Sequence, residues 1–215
     1  MAMAARIVMS ISAHQMMAWL SPSFPTGAFA YSHGLEYAVY AGYVKSAESL
    51  EDWLETLLTI GAGWNDAVLL CASYRGEDVA ELAQAMAISA ERYEETLAQG
   101  RAFAKTVSQV SGKQIAPAAL PVVVGQAAKA MDIPLSDFLP LYLHAFANNL
   151  IHAGIRLIPI GQTDGQKTLY NLFPIFDAIA QKAIASDLTA LGSSSFFADI
   201  CAMKHEKMTT RIFKS

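Results

Sequence analysis

Charge is scarce in this chain. Of its 215 residues, 16 % are Asp, Glu, Lys or Arg and 53 % are hydrophobic, where a soluble domain usually has about 25 % charged residues. Such a chain can bury a large core. It is also short of polar residues to cover its outside, which points to surface covered in a complex. Basic charge is the scarcer sign. The net charge of −4 and a pI near 5.7 argue against nucleic acid as the main partner, because phosphate binding needs basic patches.

Cysteine is nearly missing. Cys71 and Cys201 are far apart in sequence and make no disulfide framework, a usage that suits the reducing cytoplasm. Met1–Ser12 lacks the long apolar run and small-residue cleavage site of a secretory leader. The mean hydropathy of +0.30 raises the question of a membrane span. The longest uncharged stretch in the second half, Phe138–Ile155, contains His144, Asn148, Asn149 and His152. Those residues are costly in lipid, so the expectation is a buried helix and no membrane segment.

Catalytic signatures are missing too. No Gly-rich loop ends in Gly-Lys-Ser/Thr, and no Gly-x-Ser-x-Gly or Cys-x-x-Cys occurs. His205-Glu206 opens like a zincin motif, but Thr209 stands where the second ligand belongs. No convincing apolar–polar alternation, internal repeat or low-complexity tract is found, so the composition and patterning predict one all-α domain over 1–215. It is a bundle of about eight to ten helices.

What is present is helical punctuation. Ser46 caps the clearest amphipathic helix, with Leu50, Trp53, Leu54, Leu57 and Leu58 at core spacing and Gly61 at its end. Asn65 or Asp66 is expected to cap the next helix, which stops at Gly76. Asp78 opens a third. A charged helix over 90–108 carries Glu91, Arg92, Glu94, Glu95, Arg101 and Lys105, read as a solvated face. Pro121 starts a short helix through Val122, Val123, Val124 and Ala127; a β-strand is the alternative reading of the Val run, and the flanking Ala-rich sequence favours helix. Ser136 with Asp137 caps a central helix running to Ile158. Thr163–Gln166 reads as a capping box, and Pro174 as a kink. Gly192–Ser195 reads as a flexible break before a short helix from Phe196 to about His205. At the N-terminus, Ile7, Ile11, Met16, Met17 and Trp19 are available for packing in a mildly helical segment.

Two stretches carry the functional question. In Phe24–Glu36, Pro22 and Pro25 stop one element, Thr26 caps another, and a helix is expected from Ala28 to about Ala41. Gly34 inside it costs roughly 1 kcal/mol against Ala. Its presence implies a close backbone approach, by another helix of the chain or by a partner. In the central helix, His144, Asn148, His152 and Arg156 recur every four residues and wind slowly round the rod. They fit a buried hydrogen-bond network, a wet groove or partner surface, or a metal site completed by other elements. The polar, basic segment from about 204 to 215 reads as a flexible tail, or as a docking peptide with Phe213 as anchor and Arg211 as pairing group.

Three motifs now resemble one family. They are Phe24-Pro25-Thr26-Gly27-Ala28-Phe29 with Tyr31-Ser32-His33-Gly34-Leu35-Glu36; Gly154–Gln162; and Asp199–Glu206 followed by Arg211–Ser215. Their order and spacing are similar to those of the UreF family of urease accessory proteins. The departures are small, such as Ala30 where Ser is common and Ile212 where Leu is. Residues 76 to 135 match only as generic helix.

The resemblance implies a cytoplasmic, all-helical adaptor that is not itself an enzyme. It implies partners: UreD (UreH in some systems), the GTPase UreG and, through them, the urease apoprotein, with a homodimer in the complex. It implies no resident cofactor or metal, with nickel passing transiently. Tyr31, His33, Glu36, Arg156, Gln162, His205, Glu206, Arg211 and Phe213 fall in the matched motifs and are the candidate partner-binding residues. His144, Asn148 and His152 are the candidate lining of a passage. Two other classes compete: a helical enzyme with a small-molecule cavity lined by His144, His152 and Arg156, and a purely structural dimerisation protein.

Overall fold

A computed structural model describes residues 12–215. Ile7 and Ile11 lie outside the described residues. A helical segment at 12–19 (α1) is followed by ten α-helices: α2 (Leu35–Tyr40), α3 (Ala47–Ile60), α4 (Ala62–Arg75), α5 (Ala80–Ala85), α6 (Ala90–Ser111), α7 (Leu120–Ala130), α8 (Leu135–Leu157), α9 (Gln162–Asn171), α10 (Phe173–Ile184) and α11 (Phe196–His205). No strand occurs among the described residues. The fold is all-α.

The core is built round α4. That helix is apolar nearly all round, which requires burial on every side, and Ala67, Val68, Leu70, Cys71 and Ala72 are fully enclosed. Its main neighbour is α7. Gly125 of α7 makes the crossing tight, since a Cβ there would lie 2.5 Å from the Leu70 carbonyl oxygen. Helices α8 and α10 close the other side of α4, and α6 packs on the far side of α7.

Amphipathic α3 follows its sequence pattern. The Ser46 hydroxyl accepts from the Ser49 N–H at 3.2 Å, and Leu50, Trp53, Leu54, Leu57 and Leu58 are its buried face. Each fully buried leucine stabilises by roughly 1.5–3 kcal/mol over an exposed one.

Several boundaries move. The expected helix over 28–41 is two pieces, a turn of 3-10 helix at Ala28–Ala30 and then α2. Between them His33 and Gly34 are both left-handed, with φ of 54° and 78°. Gly34 is thus a turn residue, and its lack of Cβ serves both the dihedral and the packing. The close approach read from it comes from inside the chain, from Ala202 of α11. Helix α4 starts at Ala62, and Asn65 instead accepts the Gly192 N–H at 3.0 Å. Pro134, not Ser136, precedes α8. Gly161, whose N–H reaches the Asp164 carboxylate, replaces Thr163 at the start of α9. Pro174 marks a full break between α9 and α10. The 192–195 segment is tied down, with the Ser194 N–H bonded to the Ile60 carbonyl at 2.9 Å.

The C-terminal segment is the largest correction. It is seated in the body as a strap, with Phe213 and Ser215 buried. Its polar backbone finds fixed acceptors there, which the composition of the segment does not announce.

Candidate functional site

The strap lands on the turn before α2. The Lys214 N–H donates to the Ala30 carbonyl at 2.8 Å, and the Ser32 N–H donates to the Ser215 carbonyl at 2.8 Å. The Ser32 hydroxyl also donates to that carbonyl, and accepts from the Glu36 N–H at 3.2 Å. The carboxylate of Glu36, at the start of α2, accepts the Ile212 N–H at 2.7 Å and the Phe213 N–H at 2.9 Å.

Behind Glu36 lies His205, fully buried at the end of α11. Its Nε2 is 3.0 Å from Glu36 and its Nδ1 is 2.6 Å from Glu91 of α6. A ring protonated on both nitrogens satisfies two acceptors at once. Glu91 also receives Arg211. Burial raises the Glu36 carboxyl, but the bonds from His205, Ile212 and Phe213 outweigh it and hold it below the usual carboxylate value. Glu206 reaches over to α6, where its carboxylate accepts the Ala90 N–H at 2.8 Å. Arg156, at the end of α8, lies over the Phe213 ring 4.7 Å from its centroid.

A second buried carboxylate sits one turn further along α6. Glu95 is fully buried. One of its oxygens accepts from His33 Nε2 at 2.7 Å, Arg92 at 2.9 Å and Gln99 at 2.9 Å, and the other accepts from the Ser215 hydroxyl at 2.8 Å. Burial raises this carboxyl, but Arg92 and His33 override it and bring it to about 2. An ionised carboxylate only accepts, so His33 Nε2 carries the hydrogen. The 3.1 Å approach of Arg92 to that nitrogen follows from both groups sharing one oxygen. His33 Nδ1 is buried with no partner among the described residues.

Arg92 is desolvated, which lowers it, yet Glu95 and Asp66 raise it above its ordinary value. Asp66 itself is pushed up, chiefly by burial, and takes the Tyr142 hydroxyl at 3.3 Å. Trp19, His33, Asp66, Arg92, Glu95 and Tyr142 border a cavity of about 80 Å³, and Tyr31 also faces it.

The structure therefore gathers His33, Glu36, His205, Glu206, Arg211, Phe213 and Arg156 at the strap, with Tyr31 on the adjoining cavity. Gln162 stands apart at the exposed start of α9. The 144–156 ladder does not form a buried network. His144 is half-buried against Phe173 and Phe176, at 5.8 and 5.7 Å between ring centroids, and burial lowers its pKa. Asn148 is partly exposed, and His152 and Arg156 are exposed. Among the described residues no group of three or more His, Cys, Asp or Glu is placed to hold a metal.

The reading of α6 as a solvated charged face fails at Glu91, Arg92 and Glu95. The signal that could have found them is their register. Arg92, Glu95 and Gln99 continue the buried line of Phe103, Ala104 and Val107. Ser32 and Ser215, which fall in the matched motifs, also belong to the site, as do Asp66 and Tyr142, which no motif marks.

An all-helical chain whose C-terminal motif is bound onto its N-terminal motif defines the class of protein. A sequence model of the UreF family matches residues 44–173. The chain belongs to the UreF family. The urease accessory protein UreF of Cereibacter sphaeroides is 47 % identical over 210 residues, covering 96 % of this chain and 100 % of its own. That of Rhodopseudomonas palustris is 46 % identical over 220 residues, covering 94 % and 92 %. That of Mesorhizobium japonicum is 45 % identical over 217 residues, covering 96 % and 97 %. No helix among the described residues is long and apolar enough to cross a membrane.

Proposed function

We propose that this protein is a non-catalytic adaptor in urease maturation. It binds UreD (UreH in some systems) and recruits or regulates the GTPase UreG, in a cytoplasmic complex that delivers nickel to the urease apoprotein. It sits there as a homodimer. Nickel is the cargo of the assembly, and the chain holds no resident cofactor.

The observation that carries this reading is likeness over nearly the whole length to proteins named urease accessory protein UreF, at 47 % identity. The outer side of α11 supports it. Phe196, Ile200 and Met203 are 71 %, 50 % and 45 % exposed, on a helix whose other side packs on α2. An apolar stripe of that kind on a charge-poor chain is surface suited to a protein partner.

The test is co-purification of the full chain with UreD and UreG, beside Arg156→Ala and Ile200→Asp variants. The full chain is expected to retain both partners and the variants to retain less. A folded full chain that binds neither overturns the adaptor reading. Variants that bind like the parent move the interface away from the strap and α11.

A further inference from the structure

We infer that the C-terminal strap and the cavity bordered by His33 form one coupled device, with the His33 turn as its joint. Three consecutive residues face three different elements. Ser32 holds the strap through Ser215. His33 reaches Glu95 of α6 and borders the cavity. Gly34 lies against the backbone of Ala202 in α11.

The joint is strained. His33 holds a left-handed φ of 54°, a conformation that disfavours a residue with a Cβ and persists when its surroundings fix it. Two anchors fix it here, the strap on the Ser32 side and Glu95 on the ring side. Those anchors meet again at Glu95, which takes His33 on one oxygen and Ser215 on the other. The linkage is a closed ring: Ser32 to Ser215, Ser215 to Glu95, Glu95 to His33, and His33 back to Ser32 through the chain. His33 itself makes no hydrogen bond to the strap.

Loss of the strap thus removes one donor from a buried carboxylate and one anchor from a strained turn. Loss of the His33 ring does the same from the cavity side. Because the coupling is thermodynamic it runs both ways. A seated strap holds the His33 ring at the cavity wall, and a released strap frees it.

Two full-length variants test this from opposite ends. His33→Asn keeps a residue that tolerates the left-handed turn and removes the ring. Amide hydrogen exchange at Ile212, Phe213 and Lys214 is expected to speed up at least about tenfold, as loss of a buried hydrogen bond implies, with the α4 and α7 amides unchanged. Ser215→Ala removes only the strap hydroxyl. The ring nitrogen signals of His33 are expected to shift and broaden in that variant. Strap exchange within about twofold of the parent in His33→Asn, or unmoved His33 ring signals in Ser215→Ala, overturns the coupling. If one variant does not fold, the other decides alone.

Discussion

Gly34 and Ala202 meet backbone to backbone. A Cβ on Gly34 would lie 2.6 Å from the Ala202 nitrogen and 2.9 Å from its α-carbon, and the φ of Gly34 is left-handed as well. Gly34→Ala is therefore expected to lose about 3 kcal/mol, from roughly 1 kcal/mol of dihedral cost and 1–3 of overpacking. Gly27 is the control. It has a φ of 75°, and a Cβ there would meet nothing within 4 Å among the described residues, so Gly27→Ala should lose only about 1 kcal/mol. Urea midpoints at a common slope separate the two. Equal losses would show that the α11 contact does not constrain Gly34.

Glu95 sets an acid limit on stability. Its folded pKa is about 2, below the ordinary 4.5. A depressed carboxylate contributes fully above its unfolded pKa and loses that contribution as pH falls toward the folded one, here about 3 kcal/mol. Glu95→Gln cannot ionise. It should be less stable than the parent at neutral pH and decline less steeply across the window from 4.5 down to 2, where the depressed Glu36 still contributes to the loss in both proteins. Denaturant titrations through that window check this, and parallel pH profiles would count against it.

The stack of Arg156 on Phe213 ties the end of α8 to the strap. Phe213→Ala should cost about 3 kcal/mol or more, as truncation of a buried ring does. Arg156→Ala should cost less than about 1 kcal/mol, because the guanidinium is exposed. A double-mutant cycle should show about 0.5–1 kcal/mol of coupling. Strict additivity would mean that the two side chains are neighbours without an energetic link.

The two sides of α11 should respond oppositely. Ile200→Ser on the exposed side is expected to leave stability within about 0.5 kcal/mol. Ala202→Val adds volume at a buried position of α11 and should cost roughly 1–3 kcal/mol. Thermal unfolding of the two variants checks the pair. A large loss in Ile200→Ser would show that the stripe is part of the fold and not free surface.

These contrasts also explain what sequence could and could not reveal. Helix α3 was legible from Ser46 to Gly61, because capping and apolar spacing are both local. The helix through the Val run at 122–124 was legible from Pro121 in its first turn and its Ala-rich flanks. The 28–41 segment was not. Its composition favours helix, and Glu95, α11 and the strap, all far off in sequence, explain a left-handed His33. Glu91 and Glu95 read as solvated because their partners His205, Arg211 and Ser215 lie more than a hundred residues away. Motif likeness, by contrast, singled out residues as partner-binding candidates without their geometry. It named Glu36, His205 and Arg211, and the fold supplied the reason that they belong together.

The strap has a consequence for the order in which the protein is made. Ser32 and its partner Ser215 are 183 positions apart. On a ribosome that emits the chain from its N-terminal end, α3, α4 and α7 can pack early, since domains settle as their segments emerge. The turn at 31–34 cannot. Glu95 is already present, but the strap anchor arrives only with residues 211–215, so one of the first stretches synthesised is among the last to be fully held. Until then Glu36 lacks the Ile212 and Phe213 N–H groups, and Glu95 lacks the Ser215 hydroxyl.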